Sequence, residues 1–114
     1  MNLEYAVNRL YETGWRPATS SGSDLQPLPN GRYHPSLFTI QREFARAGLE
    51  LSIKHNLIFN CYRATWHPVG EPLDQDAEAD DRHGTVVGTC EKEAAVYALA
   101  QLRIAQAERQ LVTA

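Results

Sequence analysis

Leu3, Ala6, Val7 and Leu10 recur at i, i+3, i+4 and i+7, the spacing of one helical face. Asn2 can cap the start of this segment, and Gly14 can end it in a left-handed conformation. The pattern predicts a helix over residues 2–13, with Trp15 folding back onto its apolar side. Residues 16–34 carry no such period. A polar run from Thr19 to Ser23 precedes Pro27 and Pro29, which cannot donate to a sheet ladder, and Asn30-Gly31 is a turn signal. This stretch reads as a loop or a short edge hairpin. From Pro35, suited to a first helical position, Leu37, Ile40, Phe44 and Ala47 form a second apolar stripe, which Gly48 stops.

The period then changes to two. Leu49, Leu51 and Ile53 alternate with Glu50, Ser52 and Lys54, as in a half-buried strand. His55-Asn56 can turn the chain. Residues Leu57 to Trp66, rich in aromatic and β-branched side chains, predict a longer second strand that Pro68, Gly70 and Pro72 end. Thr85 to Gly88 reads as a third strand. Thr89 can cap a last helix whose face is Ala94, Ala95, Ala98, Leu99, Leu102 and Ala105, running to about Gln110. The fold class that follows is α+β: a helix–strand–strand–strand–helix core over residues 35–110, antiparallel, with both helices on one face. A helical extension over residues 1–15 precedes it in a single domain over 1–114. In this reading the second strand is apolar on both sides, with Ile58, Tyr62, Ala64 and Trp66 on one parity and Leu57, Phe59 and Cys61 on the other. Such a strand calls for cover on both faces, from the N-terminal helix or from another chain.

Charge alters this picture at one place. Glu71 to His83 holds six carboxylates against Arg82, a local charge of −5, which leaves +2 for the rest of a chain whose net charge is −3. With Leu73 as its one large apolar residue, the segment over 70–84 is expected to be a mobile acidic loop. At 114 residues and 43% apolar composition the chain can build a core, and no apolar run is long enough to cross a bilayer. Two cysteines are too few for a disulfide framework, and no stretch joins a basic start to an apolar run, so no secretory leader and a reducing cytoplasm are expected.

Pro35 opening a helix that ends near Glu43-Phe44, then Gly48-Leu49, Gly84, Gly88 and Glu93-Ala94-Ala95 leading into an alanine-rich helix, resembles the double-stranded-RNA-binding domain. The resemblance covers residues 34–106, about two thirds of the chain. It implies an RNA surface built from the first core helix, the first hairpin loop and the start of the last helix. Placing Ala94 on the family's alanine puts Glu91, Lys92 and Ala95 where the family has three lysines, so Lys92 alone keeps its charge. The family's Gly-Pro-x-His loop is reduced here to Lys54-His55-Asn56. Lys92 and His55 are the residues the resemblance carries over. Arg42, Arg46 and Lys54 are further candidate phosphate contacts, with Arg32 and Arg63 as additional cations.

Other chemistry is sparse. Cys61, His67, His83 and Cys90 include no Cys-x-x-Cys or paired-His spacing, so no metal is expected. Cys90 at a helix start is flanked by Glu91 and Glu93, which oppose a thiolate. The acidic segment lacks the turn glycine and ligand order of a calcium loop. No cofactor and no catalytic signature is expected. The aromatic residues Tyr62, Trp66 and Trp15, with Leu10, are the candidate partner-binding residues. The expected function is a non-catalytic binding module that contacts a protein partner or a second copy of itself. Weak or altered RNA binding is the alternative, and no membrane role is expected.

Overall fold

The computed structural model describes residues 3–16, 25–70 and 83–113, with side chains up to residue 108. Among these residues the protein is a small α+β domain of three helices and two antiparallel sheets. Helix α1 spans Leu3–Glu12, and strands β1 (Leu25–Pro27) and β2 (Tyr33–Pro35) form a hairpin. Helix α2 (Leu37–Arg46) leads into β3 (Leu49–Asn56), β4 (Cys61–Pro68) and β5 (Gly84–Gly88), and α3 spans Glu91–Thr113. The three-stranded sheet has β4 in the middle, antiparallel to both neighbours. The helix–strand–strand–strand–helix order expected after residue 35 is present. The acidic segment expected to be mobile lies mostly outside the described residues.

The possible hairpin at Asn30-Gly31 exists. Leu28 N–H donates to the Arg32 carbonyl at 2.8 Å, and Gly31 N–H to the Leu28 carbonyl at 3.0 Å. Pro35 belongs to β2 and is not the first residue of α2. Ser36 caps that helix instead, its hydroxyl accepting from Thr39 N–H at 3.2 Å. A serine hydroxyl satisfies an orphan helix N–H, which proline cannot do.

Register assigns each face of the sheet. Leu49, Leu51 and Ile53 on β3, with Tyr62, Ala64 and Trp66 on β4, point toward α2 and α3. Glu50, Ser52 and Lys54 point the other way, opposite His67, Thr65 and Arg63. The expectation that the second strand is apolar on both sides is therefore corrected. Leu57, Ile58 and Phe59 precede β4 and lie in the turn before it. The outward parity of β4 itself reads Cys61, Arg63, Thr65, His67.

The element that needs two covers is α3. Glu93 to Val96, Ala98 to Ala100 and Leu102 are all buried, around most of the helix circumference. A helix apolar all round must be enclosed. The sheet covers one side of α3, and α1 packs along it, burying Ala6, Val7 and Leu10 completely. Arg103 Nε donates to Thr13 Oγ1 at 2.9 Å and ties the end of α1 to α3. The hairpin joins this layer too: Tyr33 N–H donates to the Tyr11 hydroxyl at 3.1 Å, and the Arg32 guanidinium lies 4.6 Å from the Tyr11 ring centre.

Close packing of α3 on the sheet depends on two glycines. A Cβ at Gly88 would stand 2.7 Å from the Ala94 backbone nitrogen, and one at Gly84 would stand 2.1 Å from the Trp66 ring. Both positions exclude any side chain. Trp66 is thereby held between Gly84 and Phe44, whose ring centre is 5.5 Å away.

Candidate functional site

The connection between β3 and β4 is four residues long, Leu57 to Asn60. The Asn56 side-chain oxygen accepts from the N–H groups of Ile58 at 3.0 Å and Phe59 at 3.2 Å. This side-chain mimic of a backbone turn satisfies two donors that the strand ladder cannot reach. Asn60 takes a positive φ of 49°, a conformation that asparagine tolerates better than most residues. Its Oδ1 lies 3.2 Å from His55 Nε2. The His55 ring in turn stacks on Tyr62 at 4.4 Å between centres and 20° between planes.

Polar side chains thus meet the needs of the turn. Its three apolar side chains contribute nothing to it: Leu57, Ile58 and Phe59 are 82%, 87% and 76% exposed. Single exposed apolar residues are ordinary, but three in a row on a braced hairpin tip are not. Beside the tip is an open hollow lined by Lys54, His55, Asn56, Leu57, Ile58 and Arg63. The tip is therefore an apolar knob with cations at its base.

The residues expected to bind RNA are not brought together. Lys54 and His55 are adjacent in β3, so they face opposite sides of the sheet. Lys54 lies on the face away from α2 and α3, and its register partner there is Arg63. Arg42 is exposed on α2 over the Phe38 ring, at 5.9 Å. Arg46 pairs with Glu43 at 3.2 Å. Lys92 is exposed in the first turn of α3, between Glu91 and the fully buried Glu93. Glu93 accepts from Thr89 through both N–H, at 3.1 Å, and hydroxyl, so a carboxylate of the chain itself holds that helix start. Its other oxygen is buried without a partner among the described residues. Lys92 also acts on His34: burial chiefly, and then the lysine charge, lowers the His34 pKa, while a bond to the Pro35 carbonyl opposes the shift.

Of the expected partner-binding residues, Leu10 and Trp66 are core residues at 0% and 5% exposure. Their large apolar side chains are used within the fold. Trp15 is half-buried against Tyr11, and Tyr62 is half-buried beneath His55. Sequence reasoning missed the tip itself. Its signal was a pair of asparagines, Asn56 and Asn60, bracketing the apolar run.

Cys61 is half-buried on the outward sheet face, and Cys90 is exposed before α3, where its sulfur accepts from Glu93 N–H at 3.4 Å. Among the described residues no group of three or more His, Cys, Asp or Glu is placed to hold a metal ion. No described helix is long and apolar enough to cross a membrane. No protein-family model, no curated protein and no solved structure matches this chain.

Proposed function

We propose that this chain is a non-catalytic binding module, with a double-stranded-RNA-binding-domain-like arrangement put to protein recognition, and that its contact surface is the β3–β4 hairpin tip. The observation that carries this reading is the exposure of Leu57, Ile58 and Phe59 on a turn braced by Asn56 and Asn60. A pre-ordered apolar knob binds at low entropic cost, because its loop is already fixed.

The occupant we assign is a partner protein with an apolar groove edged by carboxylates. Charge at the base of the tip supports this choice. Lys54 and Arg63 line the hollow beside the tip, so carboxylates edging a groove would meet cations there, whereas a second copy offers cations of its own, and like charges juxtaposed across an interface cost several kcal/mol. Duplex RNA is the weaker alternative: the candidate cations are divided between the two sides of the sheet, and Arg46 is already paired. Phosphate contacts dominate affinity for nucleic acid, and a divided set makes few of them at once.

Panning a random-peptide phage library on the full chain tests the reading. Enriched peptides are expected to combine apolar residues with Asp or Glu. They should lose at least about tenfold in affinity for Ile58→Ser/Phe59→Ser, a loss of roughly 1.4 kcal/mol. That variant should melt with the parent. Enriched peptides that are basic, or that bind the variant equally, would refute the proposal. So would a dimer that the variant disperses in sedimentation, or vesicle binding that the variant abolishes, since either gives the tip another occupant.

A further inference from the structure

The outward face of the sheet carries a second feature, next to the base of the tip. Register puts Lys54 opposite Arg63, Ser52 opposite Thr65 and Glu50 opposite His67, three successive cross-strand pairs on one face. Ser52, Lys54, Arg63, Thr65 and His67 together line a depression of about 180 Å³. Holding one water takes only about 10–15 Å³ on the same measure, so the space is ample for a tetrahedral oxyanion.

Two cations directly opposite each other on a sheet destabilise it. Among the described residues neither Lys54 nor Arg63 has a carboxylate within 4 Å. The one carboxylate on these three pairs, Glu50, stands at the other end, 4.0 Å from His67 Nε2. His67 Nδ1 lies 3.0 Å from the Pro68 carbonyl, which can only accept, so Nδ1 carries a proton and Nε2 is turned toward Glu50. Among the described residues the unbalanced pair is therefore flanked by two hydroxyl groups and by no carboxylate within 4 Å. Arginine offers a planar fork of donors, lysine a compact charge, and serine and threonine one hydroxyl donor each. These donors, converging on one hollow from two strands, match the oxygens of a phosphoryl group. A facing pair of cations favours a dianion over a singly charged diester.

We propose that Ser52, Lys54, Arg63 and Thr65 form a binding site for a phosphate dianion, free or as a monoester, on the outward face of β3 and β4. The site shares Lys54 and Arg63 with the base of the hairpin tip, but Ser52 and Thr65 belong to it alone, and Leu57, Ile58 and Phe59 do not line it.

Amide-resolved NMR titration of the full chain tests this. Inorganic phosphate and glycerol 3-phosphate are the probes, with dimethyl phosphate and chloride at matched ionic strength as controls. Saturable shifts are expected at residues 52, 54, 63 and 65 with both phosphates, and none with the controls. Tighter binding of glycerol 3-phosphate would assign the site to an ester, and equal binding to the free ion; either supports the proposal. Arg63→Gln should weaken binding by about tenfold or more, as expected for loss of a charged hydrogen-bonding group. Ser52→Ala/Thr65→Val, which keeps both cations, should also weaken it, and carries the test if Arg63→Gln does not fold. Leu57→Ser/Phe59→Ser should bind phosphate like the parent, which separates failure of this site from failure of the tip reading. Shifts scattered over surface arginines, an equal response to dimethyl phosphate or chloride, or unchanged binding by Ser52→Ala/Thr65→Val would overturn the proposal.

Discussion

Shortening Leu10 to alanine tests whether α1 is an integral part of the fold. Leu10 is completely buried in the layer between α1 and α3. Such a truncation typically costs about 2–5 kcal/mol, and the cost rises when the surroundings cannot collapse into the hole. Collapse is hindered here, because α3 brings mainly alanines to the core (Ala94, Ala95, Ala98 and Ala100), and a methyl group cannot reach into a vacated space. The upper half of that range, about 3–5 kcal/mol, is therefore expected for Leu10→Ala. A domain of this size loses about 4 °C of melting temperature per kcal/mol, so Tm should fall by roughly 12–20 °C. The assay is thermal unfolding followed by circular dichroism, with Glu12→Ala as control. Glu12 is exposed and pairs with Arg9 at 2.9 Å, and a surface ion pair of that kind is worth about 0–1 kcal/mol. If Leu10→Ala falls no further than the control, α1 is not packed on α3 and the two-sided burial of α3 is wrong.

Gly88→Ala should destabilise by about 1–3 kcal/mol, the usual cost of forcing an extra carbon into a packed site, because its Cβ would meet the Ala94 backbone; urea unfolding should show a lower midpoint with an unchanged slope. Burial, and then Lys92, lowers the His34 pKa below its ordinary 6.5. The unfolded chain therefore takes up this proton first as pH falls below 6.5, and stability should decline from there toward the lower folded value; melts from pH 7.5 to pH 5 should show the slope, reduced in His34→Gln, and a flat profile in both proteins would contradict it. Asn56→Ala removes the acceptor for Ile58 and Phe59 N–H, and should cost about 0.5–1.5 kcal/mol while speeding amide hydrogen exchange at 58 and 59; unchanged exchange there would show that the tip is not braced by this side chain.

Local chemistry determined much of this protein within the sequence alone. The i, i+3, i+4, i+7 stripe of Leu3, Ala6, Val7 and Leu10 marks a helix, because 3.6 residues per turn put those positions on one face wherever the helix lies. The alternation from Leu49 to Lys54 marks β3 for the same kind of reason, and Asn30-Gly31 marks the first hairpin by its backbone preferences. What these patterns leave open is which surface meets which. Leu57 to Phe59 has the composition of a strand, yet side-chain bonds from Asn56 and a left-handed Asn60 make it a turn. The turn from Leu57 to Asn60 moved the start of β4, and with it the meaning of every side chain in the run. Composition likewise nominated Leu10 and Trp66 as contact residues, because burial inside a fold and burial against a partner call for the same apolar side chains. Tertiary structure alone put both in the core, set α3 between the sheet and α1, and placed Lys54 against Arg63. Register and packing are relations between segments distant in the chain, and no local pattern of hydrophobic and polar positions carries them.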